Sequence, residues 1–194
     1  MTKKGIRPVV FLDRDGTLIH DRPGRYLCRP EQLRFYKSTF KALKLLKSAG
    51  YRLIVITNQS GIGRGYLDEK MLTRIHLKMR EALRRRHADI DAIYYCPHHP
   101  DDGCRCRKPS PKLAKRAIRD LNLDLKGAYV IGDKKADVDL GRSLGIRSIF
   151  LKTGHGRLQR MKYGVRVRPC SHARDILDAA RQVLKNMDKG DDSR

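Results

Sequence analysis

The sequence predicts an α/β fold in which a parallel sheet is covered by helices on both faces. Three observations lead there. The apolar runs are short and continuous, such as Val9–Leu12 and Leu53–Ile56, as expected of strands buried on both sides. Segments with helical apolar spacing lie between them, and this alternation implies parallel pairing through crossovers. Polar motifs follow four of the runs directly, at the carboxyl ends of strands, where ligands sit in such sheets.

The elements follow in order. Val9–Leu12 is the first buried strand. Ser38 reads as an N-cap, and Phe40, Leu43, Leu46 and Ala49 keep helical spacing until Gly50 stops the helix. Arg52–Thr57 is the second strand. Asp68 caps a long helix whose Leu72, Ile75, Met79 and Leu83 form an apolar stripe. Ala92–Tyr95 is the third strand and Lys112–Leu121 a helix. Ala128–Ile131 is the fourth strand, followed by a short helix ending near Leu144–Gly145. Ser148–Leu151 is the fifth strand and Val165–Val167 a short sixth. Ser171 caps a last helix carrying Ile176, Ala180 and Val183. No internal repeat or long linker divides the chain, so residues 1–188 are expected to form a single domain and residues 189–194 a disordered tail.

Composition narrows the function. With 194 residues, 40 % hydrophobic and 34 % charged, the chain can bury a sizeable core and is not of disordered type. No run approaches the ~18 apolar residues of a membrane span. Met1–Pro8 is basic but leads into no apolar signal core, so a cytoplasmic, non-inserted protein is expected. Forty-four Lys and Arg against 21 Asp and Glu leave a net charge of +23. Such a field concentrates phosphate esters, nucleic acids or acidic surfaces without choosing among them, and it equally describes a solvated basic surface. An odd count of five cysteines argues against a disulfide framework, and the clustering of three within eleven residues points to metal.

The first motif is Phe11-Leu12-Asp13-Arg14-Asp15-Gly16-Thr17-Leu18. Two carboxylates at the end of a buried apolar strand are costly unless a cation or ligand holds them, although Asp-x-Asp-Gly alone is also ordinary turn chemistry. Magnesium takes oxygen ligands of this kind. The motif resembles the first motif of the haloacid dehalogenase superfamily of phosphatases. That resemblance implies a Rossmann-like sheet without a large cap domain. It makes Asp13 a nucleophile toward phosphorus and Asp15 the general acid and base, with both at a magnesium ion. Asp15 must then carry a proton in the first half-step. Arg14 sits between them as a substrate contact.

Three further motifs fit the resemblance. Thr57-Asn58-Gln59-Ser60-Gly61 ends the second strand; a hydroxyl and exposed N–H groups there can hold phosphate oxygens, and the resemblance makes Thr57 a phosphate ligand, with Asn58, Gln59 and Ser60 beside it. Arg107-Lys108-Pro109 supplies Lys108, which could neutralise charge on a transferring phosphoryl group, and Arg107 as a substrate contact. One lysine among so many says little alone. Gly132-Asp133-Lys134-Lys135-Ala136-Asp137 ends the fourth strand. The resemblance makes Asp133 a magnesium ligand and Asp137 its indirect support, with Lys134 on the substrate.

After the third strand, Cys96, His98, Cys104 and Cys106 form a Cys-x-His and Cys-x-Cys set. Three thiolates and one imidazole suffice for a closed tetrahedral zinc site, structural and not catalytic, with His99 as a competing nitrogen. This loop, with Thr-Asn-Gln-Ser-Gly-Ile-x-Arg-Gly and Cys-x-Cys-Arg-Lys-Pro, is similar to the heptose bisphosphate 7-phosphatases and the related histidinol-phosphate phosphatases. A small phosphorylated sugar as substrate and a monomeric state follow from that likeness. Asp21 and the Arg22–Tyr26 segment match the family's sugar-contacting loop, more basic here than usual. Histidinol phosphate and a nucleic-acid 3′-phosphate remain alternative substrates, the second a lesser one. A non-catalytic zinc-bearing basic module would need none of these carboxylates.

Overall fold

In a computed structural model, which describes residues 8–21 and 26–188, six strands form one wholly parallel sheet in the order β3-β2-β1-β4-β5-β6. The strands are β1 (Pro8–Leu12), β2 (Arg52–Asn58), β3 (Ala92–Cys96), β4 (Asp124–Gly132), β5 (Arg147–Leu151) and β6 (Ser171–Ala173). The helices are α1 (Thr39–Ser48), α2 (Ser60–Gly63), α3 (Glu69–Arg84), α4 (Lys112–Leu121), α5 (Lys135–Leu144), α6 (Gly156–Tyr163) and α7 (Ile176–Asp188). The expected tail 189–194 and positions 22–25 lie outside the described residues.

The continuous apolar runs become strands because each alternates between two cores. Val10 and Leu12 pack with α1, α3 and α7, through Leu43, Leu46, Met79 and Ala180 among others. Val9 and Phe11 face the other way, onto Leu113, Ala114, Ala117 and Leu140 of α4 and α5. Both faces are covered, so every position of β1 is apolar. The chain winds outward from β1 to β2 and β3, then returns to β4 on the other side of β1. That reversal opens a crevice beyond the carboxyl ends of β1 and β4. Register brings the two ends level: Leu12 pairs with Ile131, and Asp13 N donates to Ile131 O at 3.0 Å. Among the described residues no inserted domain caps the crevice; only short turns and α2 stand over it.

Asp68 caps α3 as expected, accepting from Met71 N. Ser38 is the N-cap residue of α1 as expected, but its side chain makes no capping hydrogen bond; the neighbouring Thr39 hydroxyl donates to Leu18 O at 2.7 Å, tying the helix to the first loop. Two expectations at the end of the chain are overturned. Residues 164–166 form a 3-10 turn rather than a strand, and the sixth strand is Ser171–Ala173. Ser171 therefore caps nothing, and its hydroxyl donates to Gln182. The cap of α7 is Asp175, whose carboxylate accepts from Leu177 N and Asp178 N.

Candidate active site and metal centre

Three carboxylates and a lysine meet in the crevice. Asp13 follows β1, Asp133 follows β4, and Asp137 lies in the first turn of α5; all three are buried, at 3 %, 0 % and 2 % exposure. Lys108 reaches in from the loop before α4 and donates to Asp13 Oδ1 at 2.8 Å and to Asp137 Oδ1 at 2.6 Å. The other oxygen of Asp137 accepts from Lys134 N at 3.0 Å, so both its oxygens are engaged. Burial alone would raise Asp13, but Lys108 and Lys134 outweigh it and hold the carboxyl down at about 2. Burial lifts Asp133 well above the carboxylate range, with Asp13 and Asp137 adding repulsion that Lys134 only partly offsets.

Asp15 points elsewhere. Its carboxylate accepts from Arg14 Nε (3.0 Å), Arg14 Nη2 (2.9 Å) and Gln59 Nε2 (2.9 Å). Only its backbone carbonyl faces the carboxylate cluster, accepting from Lys134 Nζ at 3.2 Å. Lys134 Nζ is also 3.5 Å from Asp13 Oδ2 and 3.3 Å from Asp21 Oδ2. Arg14 is 1 % exposed; its guanidinium is engaged by protein partners, and the residue also lines the cleft over this machinery. Thr57 is buried beside them, its hydroxyl accepting from Gln59 Nε2 at 2.8 Å. Asn58 exchanges two hydrogen bonds with the backbone of Lys108, fastening the end of β2 to the lysine loop.

A cleft of about 280 Å³ opens over this machinery, lined by Asp15, Asp21, Ser60, Arg107, Lys134 and His155 among others. Arg107 Nη1 is buried and has no hydrogen-bond partner among the described residues.

Sequence reasoning passed over the loop after β5, Lys152-Thr153-Gly154-His155. Thr153 Oγ1 donates to Gly16 O at 2.6 Å, His155 N donates to Asp133 Oδ2 at 2.7 Å, and the His155 ring meets Asp21 at 3.0 Å. Gly16 and Gly154 let the first and fifth loops touch: both have positive φ, and a Cβ on either would fall within 2.5 Å of Asp133 Oδ2. The signal was available, because this loop too follows a buried strand directly. His76 of α3, 3.1 Å from Arg14 Nη1, was also missed.

Two groups of side chains fit metal ions. One carboxylate oxygen each of Asp13, Asp133 and Asp137 lie within 4.8 Å of one another, and Asp13 Oδ2 and Asp133 Oδ1 are buried without hydrogen-bond partners. Hard oxygens left unpaired beside the Asp15 carbonyl make a donor set for a cation such as magnesium. The second group is Cys96, His98, Cys104 and Cys106. Cys96 Sγ is 3.5 Å from His98 Nδ1 and from Cys104 Sγ, Cys106 Sγ is 3.3 Å from His98 Nδ1, and the Cys104–Cys106 sulfurs are 3.8 Å apart. A tetrahedron with bonds of about 2.3 Å to sulfur and 2.0 Å to nitrogen has edges of roughly this length. Burial and the neighbouring thiols push Cys96 up to about 12; a bound cation would favour its thiolate. His99 stays outside this group, its Nδ1 accepting from Asp101 N.

Comparisons with known proteins place the chain in a family. Residues 8–141 match the family profile described as polynucleotide kinase 3 phosphatase, and residues 105–179 match one described as HAD-hydrolase-like. The D-glycero-beta-D-manno-heptose-1,7-bisphosphate 7-phosphatase of Pasteurella multocida is 39 % identical over 156 residues, 77 % of this chain and 84 % of that protein. The D-glycero-alpha-D-manno-heptose-1,7-bisphosphate 7-phosphatase of Photorhabdus laumondii is 38 % identical over 155 residues, 76 % of this chain and 84 % of that one. The D,D-heptose 1,7-bisphosphate phosphatase of B. bronchiseptica, crystallised with magnesium and phosphate, superposes with a TM-score of 0.84 at 32 % identity, covering 92 % of this chain and 99 % of that one.

Proposed function

Because this chain belongs to the haloacid dehalogenase-like phosphatases, in the family of the heptose-1,7-bisphosphate 7-phosphatases, we propose that it removes the 7-phosphate of D-glycero-D-manno-heptose 1,7-bisphosphate through an aspartyl phosphate on Asp13. The observation that carries the chemistry is Asp13 itself. It is a fully buried carboxylate kept ionised by Lys108, with one oxygen free of hydrogen bonds, at the switch point of the sheet. A carboxylate oxygen of Asp13 attacks phosphorus as the ester P–O bond breaks, and Asp15 gives its proton to the departing sugar oxygen. Asp15 then takes a proton from water, whose oxygen attacks the same phosphorus, releasing phosphate and restoring Asp13. Thr57 and the N–H groups of the first loop hold phosphoryl oxygens, Lys108 offsets their charge, and Arg107 and Lys134 meet the substrate in the cleft. Magnesium held by Asp13, Asp133 and the Asp15 carbonyl, with Asp137 as indirect support, would add positive charge against the phosphoryl oxygens. The enzyme is read as a cytoplasmic monomer; among the described residues no helix is long and apolar enough to cross a membrane.

The test is phosphate release from both anomers of the heptose bisphosphate, from histidinol phosphate and from a 3′-phosphorylated oligonucleotide, each with magnesium and with EDTA. Magnesium-dependent preference for a heptose anomer is expected. The oligonucleotide carries the second reading, supported by the polynucleotide kinase 3 phosphatase match over residues 8–141 and by the +23 charge; its preference would keep the mechanism and replace the sugar.

For the cysteine loop we propose structural zinc. Cys104→Ser is expected to lower bound zinc and the melting temperature together. Normal zinc content and melting in that variant would exclude Cys104 as a ligand.

A further inference from the structure

Among the described residues Arg14 is the bulkiest fully buried side chain, and its guanidinium holds the carboxylate of Asp15, the proposed general acid. Nε and Nη2 grip the two oxygens of Asp15, Nη2 also donates to Gln59 Oε1 at 2.8 Å, and Nη1 meets His76 Nε2 at 3.1 Å. A guanidinium has only donors, so His76 Nε2 must be the acceptor and the ring must be neutral, with its proton on Nδ1. Burial, followed by the charge of Arg14, pushes this imidazole down to about 3, in keeping with that assignment. His76 is itself held: it lies among Leu72, Ile75 and Met79 on the buried face of α3, with its ring edge-on to Tyr95 at 5.8 Å.

The arrangement fixes more than the position of Arg14. Asp15 Oδ2 accepts from Arg14 Nε and Gln59 Nε2 and Oδ1 accepts from Arg14 Nη2, so the orientation of the carboxyl is set by the guanidinium and one amide. A general acid must come within about 2.6–3.2 Å of the leaving oxygen, and a displacement of about 1 Å can cost 10²-fold. Resting on the phosphatase reading above, we propose that His76 is a positioning residue: as a neutral acceptor on Arg14 it aligns the Asp15 carboxyl for proton transfer to the leaving group. Removing the acceptor strands a buried Nη1 donor, and the guanidinium turns to recover a partner, carrying Asp15 with it.

The experiment compares kcat/KM for two esters, the heptose bisphosphate and p-nitrophenyl phosphate, because only the sugar alkoxide needs a proton to leave. His76→Leu is expected to lower the ratio of sugar ester to aryl ester about tenfold or more. His76→Gln, which puts an amide oxygen where Nε2 stood, is expected to bring the ratio back near the wild-type value. Should His76→Leu not fold, His76→Phe, which keeps the ring volume and the Tyr95 contact, is read in its place. Equal losses on both esters, or a Gln variant as impaired as the Leu variant, would reduce His76 to a packing residue. If the wild type cleaves neither ester, the phosphatase reading falls and this proposal with it.

Discussion

Asp13→Asn is expected to fold, to leave the proposed zinc loop untouched and to lose at least about 10⁴-fold in turnover, the scale seen when a nucleophile is deleted. The amide matches the carboxylate in shape but can neither attack phosphorus nor share a cation's charge. Its stability cost is modest. Asp13 is held at about 2 against an ordinary 3.8, so its ionised form is favoured by about 2 kcal/mol, which the neutral amide forgoes. Lys108 keeps its 2.6 Å bond to Asp137, and Asp133 is relieved of one like charge. Magnesium should therefore raise the melting temperature of the wild type far more than that of the variant. Phosphate release within about tenfold of wild type would remove Asp13 from the nucleophile role.

The parts of this design that could be read in the sequence are those where burial and polarity change abruptly. Val9–Leu12 has no polar position because helices cover both sides, so the two carboxylates that follow stand out. The same contrast marks Thr57 at the carboxyl end of β2 and Asp133 after β4. Elements without that contrast were lost. Helix α6 buries little beyond Gly156 and exposes Leu158 and Met161, so no periodicity marks it. Strand β6 has three residues of which only Ala173 is buried, while the β-branched pair Val165 and Val167 drew the assignment to a turn. β4 starts earlier than its apolar run because Pro8 pairs with Asp124 across an irregular step in register. His76 was hidden for the opposite reason. A single polar residue in the apolar stripe of α3 is a weak signal until Arg14 is seen beneath it. The motifs also do not show which residues brace the site as well as line it. Arg14 and Asn58 both line the cleft, and their polar atoms are bound to Asp15, Gln59, His76 and the Lys108 backbone.

Lys108→Met is expected to damage stability and activity together. Lys108 is 5 % exposed and its ammonium bridges Asp13 to Asp137, so its removal leaves three buried carboxylates with Lys134 as the neighbouring cation among the described residues. Stripping one partner from a buried ion pair costs about 3–5 kcal/mol, and losing a cation from the phosphoryl site costs about 10²–10³-fold in turnover. The pH dependence carries a sign that a simple packing defect would not produce. In the wild type Asp13 is depressed from 3.8 to about 2, so its contribution is present above 3.8 and is lost as pH falls toward 2. Lys108 is raised above 10.5, so its contribution is present below 10.5 and lost above its folded value. Between those limits the pair stabilises the protein evenly. Burial already raises Asp137 above its unfolded value in the wild type despite Lys108; without the lysine, burial and mutual repulsion raise Asp13 as well and Asp137 further. The native state then binds more protons than the unfolded one, and stability falls as pH rises through that window. Asp133 and Asp137 are raised in the wild type too, so in metal-free buffer the variant should lose more melting temperature between about pH 5 and about pH 8 than the wild type does, with magnesium narrowing the difference by restoring positive charge beside Asp13. A variant equally destabilised at both values, and indifferent to magnesium, would mean that Lys108 supports the loop before α4 rather than the charge balance of the site.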